Sequence, residues 1–508
     1  MTGLVPRGAL MVCGTASNSG KSVLVAGLCR LFARRGAAVA PFKGQNMALN
    51  SYVTANGEEI GRAQAAQAAA AGIEPEAVMN PVLLKPTSDR HSQVVVLGRP
   101  WRTLGAVAFH DAKEELVPIV DQALAELRGR FDVVVCEGAG SPAEINLLRH
   151  DLVNLGLASR AAVPAILIGD IDRGGVFAHL YGTTTLLPDG LRAALHGFVI
   201  NKFRGDPALL GDATTTLAQR TGLPTLGVVP WLEDVAIDAE DSLSMQDGSS
   251  YAVAIEADAA IDVAVVRFPR ISNFTDVDAL SLEPNVSLRW VRSPGQLRGA
   301  DLIVLPGTKS TIDDLGWLRR RGLEAALRTL VQGPGSPVVL GLCGGYQMLG
   351  GDIQDDLGVE HAGGGHGLGL LDVTTAFGVE KVLARRVGVD PRSSVPIDGY
   401  EIHHGAMRVG ATAAAWFALD GPVGLVDEGV ADEARGLYGT SLHGLLEGDE
   451  FRSRFLATVA ARRERPWRPS GVSFAAARDA QFERVADALE EHIDVDALLG
   501  IVAEGALR

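Results

Sequence analysis

The sequence has no surplus of positive charge. Lys and Arg number 46 against 61 Asp and Glu, a formal net charge of −15. A nucleic-acid binder normally carries a basic face, so that class is disfavoured. Cysteine is scarce: Cys13, Cys29, Cys136 and Cys343 are the whole set, and no two make a CxxC pair. This argues against a structural zinc site or a disulfide framework and fits a reducing compartment. No apolar run reaches the length of a membrane span. The start of the chain lacks the apolar core of a secretory signal, so a cytoplasmic protein without membrane contact is expected. No internal repeat of solenoid period is found. The 508 residues are enough for two to four domains with ample core.

What is present is organised around residues 338–351, VVLGLCGGYQMLGG. An apolar run leads into a sharp glycine-rich turn at Cys343, and a helical pattern follows. A nucleophile flanked by glycines between strand and helix is an elbow. The small neighbours let one side chain stand out, and the N–H groups beyond it can stabilise a thiolate and an oxyanion. Downstream, LYGTSLHGLLE places His443 as a base for Cys343. Gly307, in DLIVLPGTKST, is a candidate to supply an oxyanion N–H opposite that of Gly344.

The N-terminal half carries a second centre. Residues 9–13 (ALMVC) read as a buried strand, followed by GTASNSGKS at 14–22 and an apolar helical pattern. Strand, glycine-rich loop and helix cradle phosphates through loop N–H groups and the helix N-terminus. Gly14, Thr15, Ser19, Gly20, Lys21 and Ser22 are the candidate nucleotide contacts, with Lys21 on the terminal phosphates and Ser22 on Mg2+. The loop has one residue more than the usual spacing, and Thr15 stands where a first glycine is expected. Ala16 stands where partition ATPases carry an extra lysine. Residues 131–136 (FDVVVC) form a further strand ending in Glu137, a carboxylate well placed for the metal. Residues 197–202 (GFVINK) end in Asn201-Lys202, a pair suited to contact a nucleotide base. Glu59, in an expected helix over 57–67, is a weaker metal candidate, and Asn46, Asn50 and Ser51 are candidate site-lining residues.

The alternation of apolar strands and helices predicts an α/β protein of two parallel-sheet domains. The expected division is 1–235 for nucleotide-dependent chemistry, 236–260 as linker, 261–460 for the Cys343 domain and 461–508 as a C-terminal helical extension. Residues 251–256 (YAVAIE) read as a strand, and His361 and His366 lie in a glycine-rich loop rather than a metal site.

Five stretches together resemble the glutamine-hydrolysing cobyric acid synthases: GTASNSGKS, FKGQNMALNSYVT, CEGAGSPAEINL, GLCGGYQMLGG with YEIHHG, and GTSLHGLLE. The resemblance covers nearly the whole chain. The first half is similar to dethiobiotin synthetase, which shares the phosphate-loop offset, and the second to class I glutamine amidotransferases. It implies a C–N ligase using ATP, Mg2+ and glutamine to amidate the b, d, e and g carboxylates of adenosylcobyrinic acid a,c-diamide. Cys343 is implied as nucleophile and His443 as its partner. Many class I enzymes carry a Glu two residues after that histidine, where this chain has Leu445. Glu401 or Glu447 is then expected to orient His443, unless a dyad suffices. The sister a,c-diamide synthase, a cell-wall amidotransferase and an ATP-dependent switch protein remain the alternatives. The motif Lys43-Gly44-Gln45-Asn46-Met47 speaks against the sister, and Ala16 with the intact Cys343 and His443 against the switch protein; assay with alternative carboxylate acceptors separates the amide ligases.

Overall fold

The computed structural model describes residues 5–505, except 234, 236, 238–260, 334, 361–362 and 422. Nearly all of the expected linker, the expected strand at 251–256 and His361 lie outside the described residues. Short runs of Val, Ile and Leu, too apolar for a half-exposed strand, build the first sheet. Its strands are β1 (Gly8–Gly14), β2 (Val39–Phe42), β3 (Val133–Glu137), β4 (Ala165–Asp170), β5 (Leu195–Phe203) and β6 (Thr225–Pro230). They pair in parallel in the order β6-β5-β4-β1-β3-β2. β1 is therefore central, and the loop at its carboxyl end sits between Glu137 of β3 and Asp170 of β4. Helix α1 (Lys21–Arg34) follows β1 directly.

The expected helix over 57–67 starts later. Glu59–Gly61 is a strand, and helix α2 is Arg62–Ala70. α2 is Ala and Gln after its first residue, and eight of its nine residues are buried. A helix enclosed on every side needs no amphipathic stripe, so period alone could not delimit it. A small sheet of residues 45–47, 82–86, 91–96 and 99–105 stands beside it, and the long helix Ala106–Arg130 leads back to β3.

The second domain is built on β7 (Ile261–Val266), β8 (Val286–Val291), β9 (Leu302–Leu305), β10 (Val338–Leu342) and β11 (Leu437–Thr440). These run parallel in the order β8-β7-β9-β10-β11. Further strands, mostly antiparallel, extend the sheet to twelve, among them the long hairpin Val373–Asp390 with Val395–Val409. Helix α3 (Gly344–Leu349) follows β10.

The C-terminal extension does not belong to the second domain alone. Helices α4 (Phe474–His492) and α5 (Val495–Glu504) return to the first. Val485, Leu489, Ile493, Leu498 and Val502 share one core with Leu10, Val12, Leu24, Val25 and Leu28. Arg34 of α1 and Arg35 just past its end reach Asp487 at 2.5 Å and Glu490 at 2.7 Å on α4. His366 is exposed beside Asp352, away from any cluster. Among the described residues no group of three or more His, Cys, Asp or Glu could hold a metal ion.

Candidate functional site

The phosphate loop is shaped by close approach. A Cβ on Gly14 would stand 2.2 Å from the Ser19 hydroxyl and 3.0 Å from Lys21 Nζ, so only glycine fits beneath the loop. Gly20 has φ 95°, a conformation open to glycine. The Thr15 N–H goes to the Ile168 carbonyl at 2.9 Å, tying the loop to β4. Lys21 Nζ donates to the carbonyls of Ala16 at 2.9 Å and Gly140 at 3.2 Å. The Ser19 hydroxyl is buried with no hydrogen-bond partner among the described residues. An orphaned hydroxyl inside a glycine-shaped cradle suits a ligand with acceptor oxygens.

Glu137 reaches the loop as expected. Its Oε1 accepts from the Ser22 hydroxyl at 2.8 Å and from Lys43 Nζ at 3.0 Å, and its other oxygen accepts from Gln67. Burial alone would push this carboxyl up, but Lys43, Gln67 and Ser22 hold it below the usual range. It stays ionised, and the pair of a hydroxyl and a carboxylate oxygen is a donor set that suits a hard cation sharing phosphate oxygens and water. Glu59 is elsewhere. Lys85 at 2.5 Å and Lys381 of the second domain enclose it, so it is a buried counter-ion between domains and no metal candidate.

Asn201 reaches back to the phosphate loop. Its Nδ2 donates to the Ser19 carbonyl at 2.9 Å, and Lys202 Nζ donates to the Asn18 carbonyl at 2.6 Å. Both brace the phosphate loop from beneath. Beyond them a cavity of about 370 Å³ is lined by Phe203, Arg204, Pro230, Trp231 and Glu233, with Arg204 3.8 Å over the Trp231 ring.

In the second domain Cys343 sits at φ 48°, ψ −107°, a strained conformation for a residue with a side chain. The glycines around it are required by contact. A Cβ on Gly345 would lie 1.8 Å from the Leu305 carbonyl oxygen, and one on Gly344 2.7 Å from Thr308. Gly344 therefore packs on the segment after β9, and Gly307 lies against His443, 3.1 Å from an ideal Cβ to Cε1. The two segments expected to supply oxyanion N–H groups thus flank the Cys343–His443 pair.

Cys343 Sγ is 3.7 Å from the Ile402 carbonyl and hydrogen-bonds the His443 ring. Burial would raise this thiol, yet the His443 charge brings it below its ordinary value. Burial would lower His443, but Asp276 and the thiolate raise it to about 10. Both shifts favour a thiolate–imidazolium pair. By contrast, burial pushes the thiols of Cys13, Cys29 and Cys136 up.

The orienting carboxylate is Asp276, which sequence reasoning missed. Asp276 Oδ2 lies 2.7 Å from His443 Nδ1, and Oδ1 accepts the Gly444 N–H at 2.9 Å. Both expected candidates are committed elsewhere. Glu401 pairs with Arg386 at 2.6 Å and His403 at 3.4 Å, and Glu447 pairs with Arg62 at 2.5 Å. The available signal was the polar run Ser272-Asn273-Phe274-Thr275-Asp276 beyond the carboxyl end of β7, where open α/β sheets place their sites.

A cavity of about 30 Å³ opens at Cys343, lined also by Gln347, Lys309, Glu360, His404 and Lys85. Lys85 belongs to the first domain, so both domains wall this space. Asn46 bonds Gln64, while Asn50 accepts the Phe274 N–H and the Ser51 N–H goes to Asn273. Asn50 and Ser51 thus tie the first domain to the Asp276 segment, while Asn46 bonds within the first domain.

Comparison with known proteins follows this division. Residues 10–244 match the CobQ/CobB/MinD/ParA nucleotide binding domain, and residues 262–451 match the CobB/CobQ-like glutamine amidotransferase domain. The chain is 49% identical to a cobyric acid synthase of Frankia casuarinae, covering 98% of this chain and 97% of that one. It is 50% identical to one of Nocardia farcinica, covering 98% of each. With one of Rhodococcus jostii the identity is 51%, over 98% of this chain and 96% of the other.

Proposed function

The chain belongs to the cobyric acid synthase family, and from that premise we propose how its two centres divide the work of a glutamine-dependent amide ligase. The observation that carries the reading is the Asp276–His443–Cys343 constellation on a strained elbow, in a domain separate from an intact phosphate loop. Cys343 attacks the side-chain amide of glutamine. The carbonyl oxygen gains charge beside the backbone of Gly344 and Gly307, and His443 gives its proton to the departing ammonia. Asp276 keeps His443 turned and charged. Water then releases glutamate from the thioester, with His443 taking the proton back.

In the first domain Gly14, Thr15, Ser19, Gly20, Lys21 and Ser22 hold the phosphates of ATP. Asn201 and Lys202 fix the loop, and the cavity at Arg204 and Trp231 receives the base. The corrinoid carboxylate attacks the γ-phosphate to form an acyl phosphate, and Lys21 balances the charge moving to the leaving diphosphate. Ser22 and Glu137 are the residues that would hold Mg2+, which when bound supplies further charge neutralisation at the phosphates. Ammonia displaces phosphate and leaves the amide. The acceptors of the family reaction are the b, d, e and g carboxylates of adenosylcobyrinic acid a,c-diamide. Among the described residues no helix is long and apolar enough to cross a membrane.

Cys343→Ala is the direct test. The variant is expected to lose glutamine hydrolysis and glutamine-dependent amidation while keeping amidation from ammonium salt at raised pH. Mass spectrometry of the corrinoid product reads both. Glutamine consumption at the wild-type rate would remove Cys343 from the chemistry. A folded, ATP-binding variant that failed with ammonia would overturn the separation of the two centres.

A further inference from the structure

Helix α2 touches both centres. At its far end Gln67 Nε2 donates to Glu137 and lies 3.5 Å from the Ser22 carbonyl, inside the phosphate site. The Gln67 Oε1 is buried with no hydrogen-bond partner among the described residues, so Glu137 is the main polar hold on this side chain. Five residues back, about 7.5 Å along the axis, Arg62 leaves the first domain. Its guanidinium lies 3.3 Å from the Tyr400 hydroxyl and 2.5 Å from Glu447 Oε1, both in the second domain. Tyr400 is paired across strands with His443, its ring 5.6 Å from the imidazole. The Tyr400 hydroxyl donates to the Ser51 carbonyl at 3.1 Å and accepts from Asn273, which opens the short helix carrying Asp276. Glu447 lies four residues past His443, in the turn after it. Arg62 thus grips both segments that fix His443.

We propose that α2 is a rigid strut through which the state of the phosphate site sets the geometry of the glutaminase centre. Arg62 and Tyr400 are positioning residues for His443, and Gln67 senses Glu137. The inference rests on the assignment of the two centres given above. The differential contact is at Glu137. Its oxygens are shared among Ser22, Lys43 and Gln67. Phosphates on the loop would compete for Ser22, one of the donors that Glu137 shares with Gln67, so their binding would change the hold of Glu137 on Gln67. A ligand shifts a distant site only through such a difference. Enclosure of α2 on all sides leaves it little freedom except to move as a body with its ends.

The test needs no turnover. Iodoacetamide alkylation of Cys343 is timed by peptide mass spectrometry with and without a non-hydrolysable ATP analogue. The other three cysteines, buried with raised thiols, serve as internal references. In the wild type the analogue is expected to change the Cys343 rate by about fivefold or more, the scale of ordinary coupling between sites. Arg62→Met, Gln67→Met and Tyr400→Phe should each bring that ratio near one. Arg62→Met and Tyr400→Phe should still bind the analogue by calorimetry. Arg62→Lys, which keeps the charge but not the fork, should restore part of the response. Tyr400→Phe removes a single oxygen and answers the question if Arg62→Met does not fold. A wild-type rate indifferent to bound analogue, or variants that keep the full ratio, would overturn the strut. Failure of the two-centre assignment looks different: Cys343 would label no faster than the other cysteines, or the analogue would not bind.

Discussion

Asp276 decides the charge state of the pair it serves. Burial opposes a charged His443, and the carboxylate 2.7 Å from Nδ1 reverses that. Asp276→Asn keeps the shape and removes the charge. His443 should then titrate lower and lend less positive charge to Cys343. Burial alone pushes that thiol up, so its titration should move to higher pH. Measured as the pH dependence of Cys343 alkylation, the midpoint is expected to rise. Glutamine hydrolysis at neutral pH should fall by up to about 10⁴-fold, as when a triad carboxylate is neutralised elsewhere. An unmoved midpoint would mean that Asp276 only packs against the ring. Cys343 and His443 were legible because an elbow and a histidine after a strand are local patterns. Asp276 was not, because its role exists only once the loop after β7 meets the turn after β11. Glu401 and Glu447 were nearer in sequence to His443, and each had an arginine waiting in space.

At the scale of elements, the glycine loop and α1 form a unit whose sequence carries its own geometry. Gly14 and Gly20 are fixed by contact and by φ, and Lys21 starts the helix. The longer loop is held by Asn201 and Lys202, which donate to the carbonyls of Ser19 and Asn18. The pair expected at a nucleotide base thus also supports the loop. Lys21→Ala should lower ATP-dependent amidation by at least about 100-fold, the usual cost of one preorganised charge-stabilising donor. The loss should be the same with glutamine or ammonia as nitrogen source, while Cys343 remains alkylatable. Amidation from ammonia at the wild-type rate would exclude Lys21 from the reaction. The expected helix over 57–67 started too early for a different reason. Glu59 looked like a favourable acid in a helical first turn, but its carboxylate compensates Lys85 and Lys381, and that ion pair puts it on a strand ahead of the helix.

At the scale of the whole molecule, sequence order and spatial order part company. The alternation of strands announced two parallel sheets, and the sheets are there. Nothing in the periodicity of the last residues says which sheet they cover. α4 and α5 are amphipathic, and an amphipathic helix fits either domain. Charge supplies the address: Arg34 on α1 and Arg35 just past its end face Asp487 and Glu490 on α4. Apolar contact supplies the energy, through Val485, Leu489, Leu498 and Val502 against β1 and α1. Each such side chain is worth about 1.5–3 kcal/mol when fully buried. Their sum is comparable with the total stability of an ordinary domain, about 5–15 kcal/mol. A fragment of residues 1–235 should therefore lack a cooperative fold, although it holds every strand of the first sheet and the whole phosphate loop. It should bind a dye for exposed apolar surface and melt without a sharp transition. Fusing residues 461–508 to its end through a flexible linker should restore a cooperative melt and nucleotide binding. If residues 1–235 alone melted as sharply and as late as the complete chain, the returning helices would be an ornament on a finished domain rather than its missing layer.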